Sequence, residues 1–278
     1  MRIRKKDIII KLWTYISGII TVSLIVFLFG YIFLKGYKVI SWEFITDVPK
    51  GMILGTEGGI APALIGSFLS AGIAVIISGI FSVCTGIYLT FYENNKRKTD
   101  FIHWIINCIN GIPSIVLGLF GYTVFSVYLG FGRSILSGGL VLAMMIFPAA
   151  EIKIEKSFKE LNRDIINASY SLGVSKIYTI FKIVIPVCRK EIFSALSLVY
   201  GYAMGATAPV MFCMTVINSP VSFDIRKPSM SLSYHLYILM TQGISLEMAY
   251  GTAFVLLGLI LAVFILCNFL IKKKNEEW

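Results

Sequence analysis

Six long apolar runs constrain the fold of this chain more than any other feature. They comprise residues 12–34, 60–92, 101–128, 134–150, 192–216 and 248–271. A helix needs roughly 20 predominantly apolar residues to cross the hydrocarbon layer of a bilayer, and the runs are about that long or longer. Hydrophobic residues make up 57% of the sequence and charged residues only 14%, which is not the composition of a soluble domain. The sequence therefore predicts an all-α, polytopic membrane protein with six transmembrane helices.

The distribution of basic residues predicts the orientation of these helices. If the N-terminus is cytoplasmic, 19 of the 25 lysines and arginines lie in inside segments, as the positive-inside rule requires. We therefore expect both termini to face the cytoplasm. The basic residues before the first run would also suit a signal peptide. That run is longer than the apolar core of a signal peptide, and no small-residue cleavage site ends it before Lys35, so we expect a retained anchor.

The basic residues that predict the orientation also explain the net charge of +10. The positive residues lie at helix ends, beside the anionic lipid of the inner leaflet. No aromatic residues alternate with them as they would in a nucleic-acid-binding patch. We therefore expect membrane lipid, and no nucleic acid, as the partner of these charges.

No residue pattern indicates catalysis, a bound metal or a cofactor. The five cysteines show no CxxC spacing and fall in or near the apolar runs, so they are expected to be small apolar residues. His103 and His235 lie far apart, without an acidic or cysteine cluster, and we expect both at the membrane interface. Ser114 and Thr207 lack His and Asp partners in a nucleophilic motif. The sequence contains no GxxxxGK[ST] loop for ATP phosphates.

The longest inside loop, at about residues 151–190, contains the stretch "NASYSLGVSKIYTIFKIVIP". Its first part predicts a short helix that Asp164 could cap. The apolar stripe of this helix would follow the spacing i, i+3, i+4 and i+7, which places four residues on one face: Ile165, Ala168, Ser169 and Leu172.

Its second part predicts a turn and a second short helix. Gly173 stands where helices commonly end in the left-handed conformation. Ser175 can cap a helix over 176–185, and Pro186 is expected to end it. A helix pair of this size is marginal in water and must pack on something. Two interpretations stay open: the pair packs on the inner ends of its own transmembrane helices, or it fits a groove on a soluble partner.

The same stretch resembles the coupling-loop signature of ABC-importer permeases, which reads E-A-A, three further residues and G, with an apolar-Pro pair downstream. Asn167, Ala168 and Ser169 stand at the E-A-A positions, Gly173 at the glycine and Pro186 at the proline. The glutamate of the signature is replaced by Asn167, so the charge at that position is lost.

Further motifs extend the resemblance over about residues 58–212. They are "GGIAPALIGSF" (58–68), "GIPSIVLGLFGY" (111–122), "LGFG" (129–132) and "GATAPVMF" (205–212), in the order found in phosphate-importer permeases of the PstA type. Several motifs in order are strong support for a family, where one would be weak. The resemblance implies a type I ABC-importer fold with residues 1–57 as an N-terminal anchor and outside linker and residues 58–278 as the transmembrane domain.

The resemblance also implies partners and a location. Members of the family work in the plasma membrane of prokaryotes, where a pair of ATPase subunits docks on the coupling loops of two permeases. A sister permease completes the path, and an extracytoplasmic phosphate-binding protein delivers the ligand. ATP hydrolysis is expected on the separate ATPase subunits, so this chain would be a translocation subunit and not an enzyme. The segment 218–247 could receive the binding protein or be an ordinary loop.

Two interrupted helices suggest where the path lies. "GIPS" interrupts the third run, and "ATAP" interrupts the fifth. Broken membrane helices need a polar or protein-lined environment, and helix N-termini attract anions, so we expect an anion path there. The candidate path residues are Ser114, Tyr202, Gly205, Thr207 and Pro209.

Small residues every four positions suggest either a path or close helix packing. They form one face on the second helix and one on the fifth, and the two interpretations stay equally open. The residues are Ser78, Ser82 and Gly86, and Ser197, Gly201 and Gly205.

The sequence departs from the family at its charged positions. Tyr202 and Ala206 stand where the family carries an Arg and a Glu, and Ile152 stands where it carries a further Arg. An intramembrane ion pair is costly and normally functional, so the joint loss indicates removal of the pair. Alternatives to a phosphate importer are a permease for another oxyanion, a permease-derived scaffold or sensor that no longer transports, and a self-contained channel or carrier. The last is disfavoured because ionisable residues are scarce in the six runs.

Overall fold

The computed structural model describes residues 5–51, 55–216 and 220–273. Some predicted features lie outside these residues, namely the basic residues Arg2, Arg4 and Lys274, positions 218 and 219 of the segment 218–247, and the last five residues of the chain.

Helices make up almost all of the regular structure within the described residues. The α-helices are α1 (Lys5–Gly36), α2 (Trp42–Thr46), α3 (Ala61–Ile87), α4 (Lys96–Gly111), α5 (Ser114–Gly121), α6 (Ile135–Lys159), α7 (Arg163–Ser171), α8 (Lys176–Thr179), α9 (Ile185–Val187), α10 (Arg189–Gly205), α11 (Ala208–Cys213), α12 (Leu232–Thr241) and α13 (Leu246–Lys273). π-Helical turns continue α3, α5 and α8 over Tyr88–Tyr92, Tyr122–Tyr128 and Ile180–Val184, and Tyr37–Val39 is a 3-10 turn. The short strands β1 (Pro49–Lys50) and β2 (Glu57–Gly58) pair antiparallel.

The chain is an all-α, polytopic membrane protein, but the count of six spanning helices is not confirmed. Within the described ranges, four helices are long and apolar enough to cross a membrane: α1, α3, α6 and α13. A fifth span results if α4 and α5, with its π-helical turn, count as one helix bent by 95°. The run 192–216 does not form one span, because the helix breaks after Gly205 and restarts at Ala208.

The core forms where α3 and α6 pack side by side. Gly139 on α6 allows the close approach, since a Cβ there would lie 2.7 Å from Ile73 Cγ2 on α3. Ala71 and Ala74 of α3 and Ile146 of α6 are fully buried. The predicted fourth run ended at 150, whereas α6 continues to Lys159 because the buried stripe continues through Ile154 and Phe158.

The two ends of this bundle differ. At one end, here called the loop end, the ring of Phe91 after α3 lies 6.2 Å from that of Phe158 near the end of α6, and residues 160–188 follow. At the other, the far end, the segment before α12 closes the start of α6: the Ile135 N–H donates to Lys227 O at 3.1 Å and the Leu136 N–H to Ile225 O at 2.9 Å. The N-terminus of α6 is therefore satisfied by the chain's own carbonyls and does not attract an anion.

Helix α1 lies beside α13. The rings of Phe33 and Phe254 are 5.4 Å apart, and those of Tyr31 and Tyr250 are 5.7 Å apart. Gly36 lies directly on the backbone of α13, because a Cβ there would be 2.6 Å from Tyr250 O. The anchor helix is thus attached to the bundle through its last turns.

Candidate functional site

A pair of short helices occupies the loop end, here called the loop pair and comprising residues 163–187. The turn between its helices has the geometry of a Schellman cap: Gly173 has φ +76°, its N–H donates to Tyr170 O at 2.9 Å, and the Val174 N–H donates to Ser169 O at 3.2 Å. Gly173 therefore ends α7 in the left-handed conformation, and the prediction of a turn at this glycine is correct.

Side chains cap both helices of the loop pair. Asn162 caps α7, because its Oδ1 accepts from the Asp164 N–H at 2.9 Å. We expected Asp164 to be the cap, which is wrong by two positions. Asp164 lies in the first turn of α7, where its negative charge interacts favourably with the positive end of the helix dipole. Ser175 caps α8 as expected, with its Oγ accepting from the Tyr178 N–H at 3.3 Å.

A buried hydrogen bond joins the two helices. The hydroxyls of Ser169 and Thr179 lie 2.8 Å apart, and Thr179 Oγ1 also donates to Ser175 O at 3.1 Å. Ser169, which matches the third position of the E-A-A signature, therefore sets the angle between α7 and α8.

The face of the loop pair that packs on the bundle is not the predicted stripe. Ile166, Ile180 and Val184 are the buried apolar residues, together with the hydroxyls of Ser169 and Thr179. Of the predicted stripe only Ser169 is buried, while Leu172 is 83% exposed. Six other apolar residues of the pair are exposed around the turn and on its outer side: Ile165, Ala168, Leu172, Ile177, Tyr178 and Phe181. The predicted stripe is therefore not the face that packs on the chain's own helices, and its contact with a soluble partner stays a prediction.

Pro186 does not end the second helix. The chain passes through a π-helical turn, Ile180–Val184, and Pro186 lies in the helical turn that follows, Ile185–Val187. A proline fits the first turn of a helical segment because its missing N–H is not needed there. The next helix, α10, begins at Arg189, directly after Cys188.

The loop pair contacts the end of α3. The ammonium group of Lys176 lies 4.4 Å from the centre of the Tyr92 ring. A cleft of about 180 Å³ separates α7 from this region, and its lining includes Thr90, Asn94 and Asn167. Asn167, at the glutamate position of the signature, is thus an uncharged group at the edge of the contact.

The turn from α3 to α4 is fixed by a carboxylate. Glu93 accepts hydrogen bonds from the Tyr88 hydroxyl at 2.7 Å and from the Asn95 N–H at 2.8 Å. These bonds, chiefly the one from Tyr88, lower the pKa of Glu93, so the ionised form holds the turn.

The two broken helices meet in the bundle. A Cβ on Gly118 of α5 would lie 2.9 Å from Ala208 O of α11, and Cys213 Sγ donates to Gly118 O at 3.3 Å. At the second break the carbonyl of Ala206 is freed from its helix and accepts from Ser233 Oγ of α12 at 2.9 Å. The carbonyl that the second break releases therefore has a partner within the chain.

Most of the candidate path residues lie on an open surface beside these breaks. Ser114, Tyr202 and Gly205 are exposed, Thr207 is half-buried, and Pro209 is buried against α5. The backbone contact of α5 with α11 brings Gly118 against Ala208 and Pro209. No charged residue stands among them.

The small-residue faces are mostly helix contacts. Ser82 Oγ donates to Phe147 O at 3.4 Å, and a Cβ on Gly86 would lie 3.3 Å from the Phe158 ring, so this face of α3 packs on α6. Ser197 is buried, and a Cβ on Gly201 would lie 3.1 Å from the Phe264 ring of α13. Gly205 alone among these glycines has open space.

Two buried carboxylates were missed by the sequence analysis. Glu151 of α6 is 0% exposed, and within the described residues neither carboxylate oxygen has a hydrogen-bond partner. Glu155, one turn later, is paired with His103 Nε2 at 2.9 Å and Lys159 Nζ at 2.6 Å. The spacing of Ala150, Ile154 and Phe158 continues the apolar stripe of α6 and could have shown that the helix carries both glutamates into the bundle.

Both histidines have side-chain partners within the chain. His103 pairs with Glu155 from the neighbouring helix. His235 is buried, with Nδ1 3.1 Å from Thr252 Oγ1 of α13. The sequence could not show either contact, because both partners are distant along the chain.

The fold and the loop pair define a membrane-spanning subunit of a transport system. The family model for the binding-protein-dependent transport system inner membrane component matches residues 82–276, and the chain belongs to this family.

Relatives and solved structures agree with this assignment. The chain is 29% identical to a probable ABC transporter permease, YqgI, of Bacillus subtilis, over 84% of each chain. It is 27% identical to a probable phosphate transport system permease, PstA, of Methanocaldococcus jannaschii, over 94% of this chain and 93% of that one. A methionine ABC transporter in an inward-facing conformation has a similar fold (TM-score 0.60, 16% identity, 77% of this chain and 93% of that one). A bacterial ABC transporter involved in the import of alginate also has a similar fold (TM-score 0.58, 12% identity), and the match covers 98% of this chain and 99% of that one.

Proposed function

We propose that the chain is one of two permease subunits in an ATP-driven, binding-protein-dependent importer of inorganic phosphate. It would pair with a sister permease in the plasma membrane of a prokaryote, with the loop end and both termini in the cytoplasm. Residues 58–278 would form the transmembrane domain, and residues 1–57 the anchor and linker. The far end would receive the extracytoplasmic binding protein.

The exposed apolar face of the loop pair carries this proposal. The pair already packs on its own bundle through Ile166, Ile180 and Val184, so the open surface around Leu172 and Phe181 is not needed for that packing. Apolar surface of this kind, outside the bilayer, is typical of a protein-protein contact. We infer that the ATPase docks here and that ATP hydrolysis takes place on that separate subunit.

The contacts of the loop pair suggest how a movement would be transmitted. Ser169 and Thr179 hold its two helices together, and Lys176 holds the pair to the end of α3. Closure of the ATPase pair would therefore displace a rigid unit, and the helices attached to it would tilt between inward and outward access.

Inorganic phosphate is the cargo favoured by the relatives, several of which are phosphate transport permeases by name. One observation favours a different oxyanion: the positions of the family's Arg and Glu are Tyr202, which is 57% exposed, and Ala206, whose carbonyl is bound by Ser233. In that case this chain would offer the cargo hydroxyl and backbone groups in place of charged side chains. A charged contact to phosphate would have to come from the sister permease.

Uptake of radiolabelled phosphate by the reconstituted complex tests the proposal. The complex, with its ATPase, sister permease and cognate binding protein, should accumulate phosphate only when ATP is present. The double variant Tyr202→Arg plus Ala206→Glu is the comparison for the missing charges. A wild-type complex that hydrolyses ATP in response to its binding protein but moves no phosphate would refute the cargo and leave the family unaffected.

A further inference from the structure

The cleft between α7 and the end of α3 is lined by polar groups from two parts of the protein. Asn94, in the turn that follows α3, belongs to the bundle, whereas Arg163, Asn167 and Lys176 belong to the loop pair. Part of the remaining lining is apolar and buried, as at Phe158. The cleft therefore brings polar and charged groups of the bundle and of the loop pair around one small space.

The charges in this cleft are positive and are not balanced by a carboxylate. Arg163 and Lys176 are its charged lining residues, and neither forms a salt bridge with a described residue. Nearby acidic residues have other contacts: Glu93 holds its own turn, and Glu160 pairs with a lysine one turn earlier at 3.7 Å. Asp164 follows Arg163 in the chain but does not line the cleft. Two uncompensated cations close together favour an anion between them.

The size and the donors of the cleft define the kind of anion. Pockets for drug-sized molecules measure roughly 300–1,000 Å³. This cleft measures about 180 Å³, which is too small for a nucleotide and suits a small ion. The guanidinium, ammonium and amide groups that line it are all donors, and a guanidinium can form two parallel bonds to the oxygens of a phosphate. The cleft therefore suits a small tetrahedral oxyanion.

Asn167 determines the charge balance of the cleft. The coupling-loop signature carries a glutamate at this position, and a carboxylate here would offset one of the two positive charges and repel an anion. Asparagine leaves both charges uncompensated and adds an amide donor. The departure of this chain from the signature thus changes the cleft in the direction of anion binding.

We propose that the cleft binds free inorganic phosphate from the cytoplasm, and that the bound anion holds the loop pair against the end of α3. This inference rests on the proposed importer function, which places the loop end in the cytoplasm. It deepens that function by naming a site where the imported product acts on the transporter. An anion that accepts hydrogen bonds from Asn94 and from Arg163 joins the bundle to the loop pair, so it stabilises one position of the pair and opposes its movement. Accumulated phosphate would then slow its own import.

Equilibrium binding of radiolabelled phosphate tests the site directly. The complex of both permeases and the ATPase is placed in nanodiscs of phosphatidylcholine, without binding protein and with ADP in the nucleotide sites. Arg163→Gln and Asn167→Glu should each weaken phosphate binding at this site by at least about tenfold, the first by removing a charged donor and the second by introducing a carboxylate. Lys182→Gln is the matched control and should leave binding unchanged, because Lys182 is an exposed lysine of the same loop pair outside the cleft.

Three results would overturn the proposal. The first is equal phosphate binding by the wild type and by Asn167→Glu, and the second is a wild-type complex that binds phosphate only at its nucleotide sites. The third is displacement of the phosphate when phosphatidylglycerol is added to the discs, which would assign the cleft to a lipid headgroup. Binding does not require transport, so a complex that binds phosphate in the cleft but fails to accumulate it would refute the cargo and leave this site standing.

The effect on the transporter is measured in vesicles whose ATPase faces the bath and whose lumen holds the loaded binding protein. Phosphate added to the bath should lower ATP hydrolysis by a larger fraction in the wild type than in Asn167→Glu, with each rate relative to the same complex without added phosphate. Direct product inhibition of the ATPase acts on both complexes alike. An equal fractional loss would show that the anion does not restrain the loop pair, and would overturn the proposed feedback.

Discussion

The hydroxyl groups of Ser169 and Thr179 lie 2.8 Å apart in the buried contact between the two helices of the loop pair. Thr179 donates its hydroxyl proton to Ser175 O at 3.1 Å, so in the bond between the two hydroxyls Ser169 donates and Thr179 accepts. The two residues are therefore not equivalent, although they share one hydrogen bond.

This asymmetry predicts different costs for the two single variants. Thr179→Val leaves the buried Ser169 hydroxyl without its partner and should destabilise the loop pair by roughly 1–3 kcal/mol. Ser169→Ala leaves Thr179 bound to Ser175 O and should cost less. Hydrogen exchange of residues 163–187 measures both effects. The double variant should cost less than the sum of the two, and strict additivity would contradict a direct bond.

Gly173→Val should disturb the turn without disturbing the bundle. The position requires φ +76°, but a Cβ there would meet open space, so the cost comes from backbone conformation and not from a clash. A non-glycine residue in this region costs on the order of 1–3 kcal/mol. We expect weaker co-purification with the ATPase and less ATP hydrolysis stimulated by the binding protein. Gly173→Asn is the matched control, because asparagine adopts the left-handed conformation more readily. Equal loss in both variants would mean that a side chain, and not the turn, interferes.

Leu172→Asp should weaken ATPase docking and leave stability unchanged. The side chain is 83% exposed on the open surface of the loop pair, so its loss removes little internal packing. A buried interface leucine contributes roughly 1.5–3 kcal/mol, enough to lower association about tenfold or more. Association is measured with purified ATPase. Phe223→Asp, at an exposed aromatic of the far end, is the control and should have no effect on ATPase association. Full docking of the Leu172 variant would place the ATPase elsewhere.

Glu151 and Glu155 should respond oppositely to the same substitution. Glu151 is fully buried, and its oxygens have no hydrogen-bond partner among the described residues, so Glu151→Met removes an unsatisfied polar group and should stabilise the protein by roughly 1–3 kcal/mol. Glu155→Met removes the partner of His103 and Lys159 and should destabilise it by roughly 1–3 kcal/mol. Thermal unfolding in one detergent compares them. A loss of stability in Glu151→Met would contradict the prediction.

Local chemistry made some features predictable and long-range packing hid others. The roles of Ser175 and Gly173 depend only on residues a few positions away in the chain, so the sequence could predict them. The cap at Asn162 could not be distinguished from one at Asp164, since both residue types cap helices. The face of α7 that is buried is set by its contact with the second helix, which contains the buried residues Thr179 and Ile180. That helix follows the turn, so the sequence of α7 alone could not show which face is covered.

The count of six spanning helices is not confirmed, for a similar reason. The motif "ATAP" indicated an interruption of the run 192–216, but the sequence did not show that the interruption divides the run into two separate helices. The break is stabilised by Ser233, which donates to Ala206 O from 27 residues away. Likewise, the pairing of His103 with Glu155 joins residues that are 52 positions apart. A single sequence contains no signal for such contacts.

Helix α6 connects the two ends of the protein, which sets the speed of any change between them. Its first amides are bound to the carbonyls of Ile225 and Lys227, and Phe158 near its other end lies in the core with Ile166 and Val184 of the loop pair. A helix of 25 residues is about 37 Å long. One route by which an event at one end can reach the other is a displacement of this helix, or a bend at Pro148, which lies inside it. Collective helix movements take microseconds to milliseconds, so communication between the two ends is limited to that timescale.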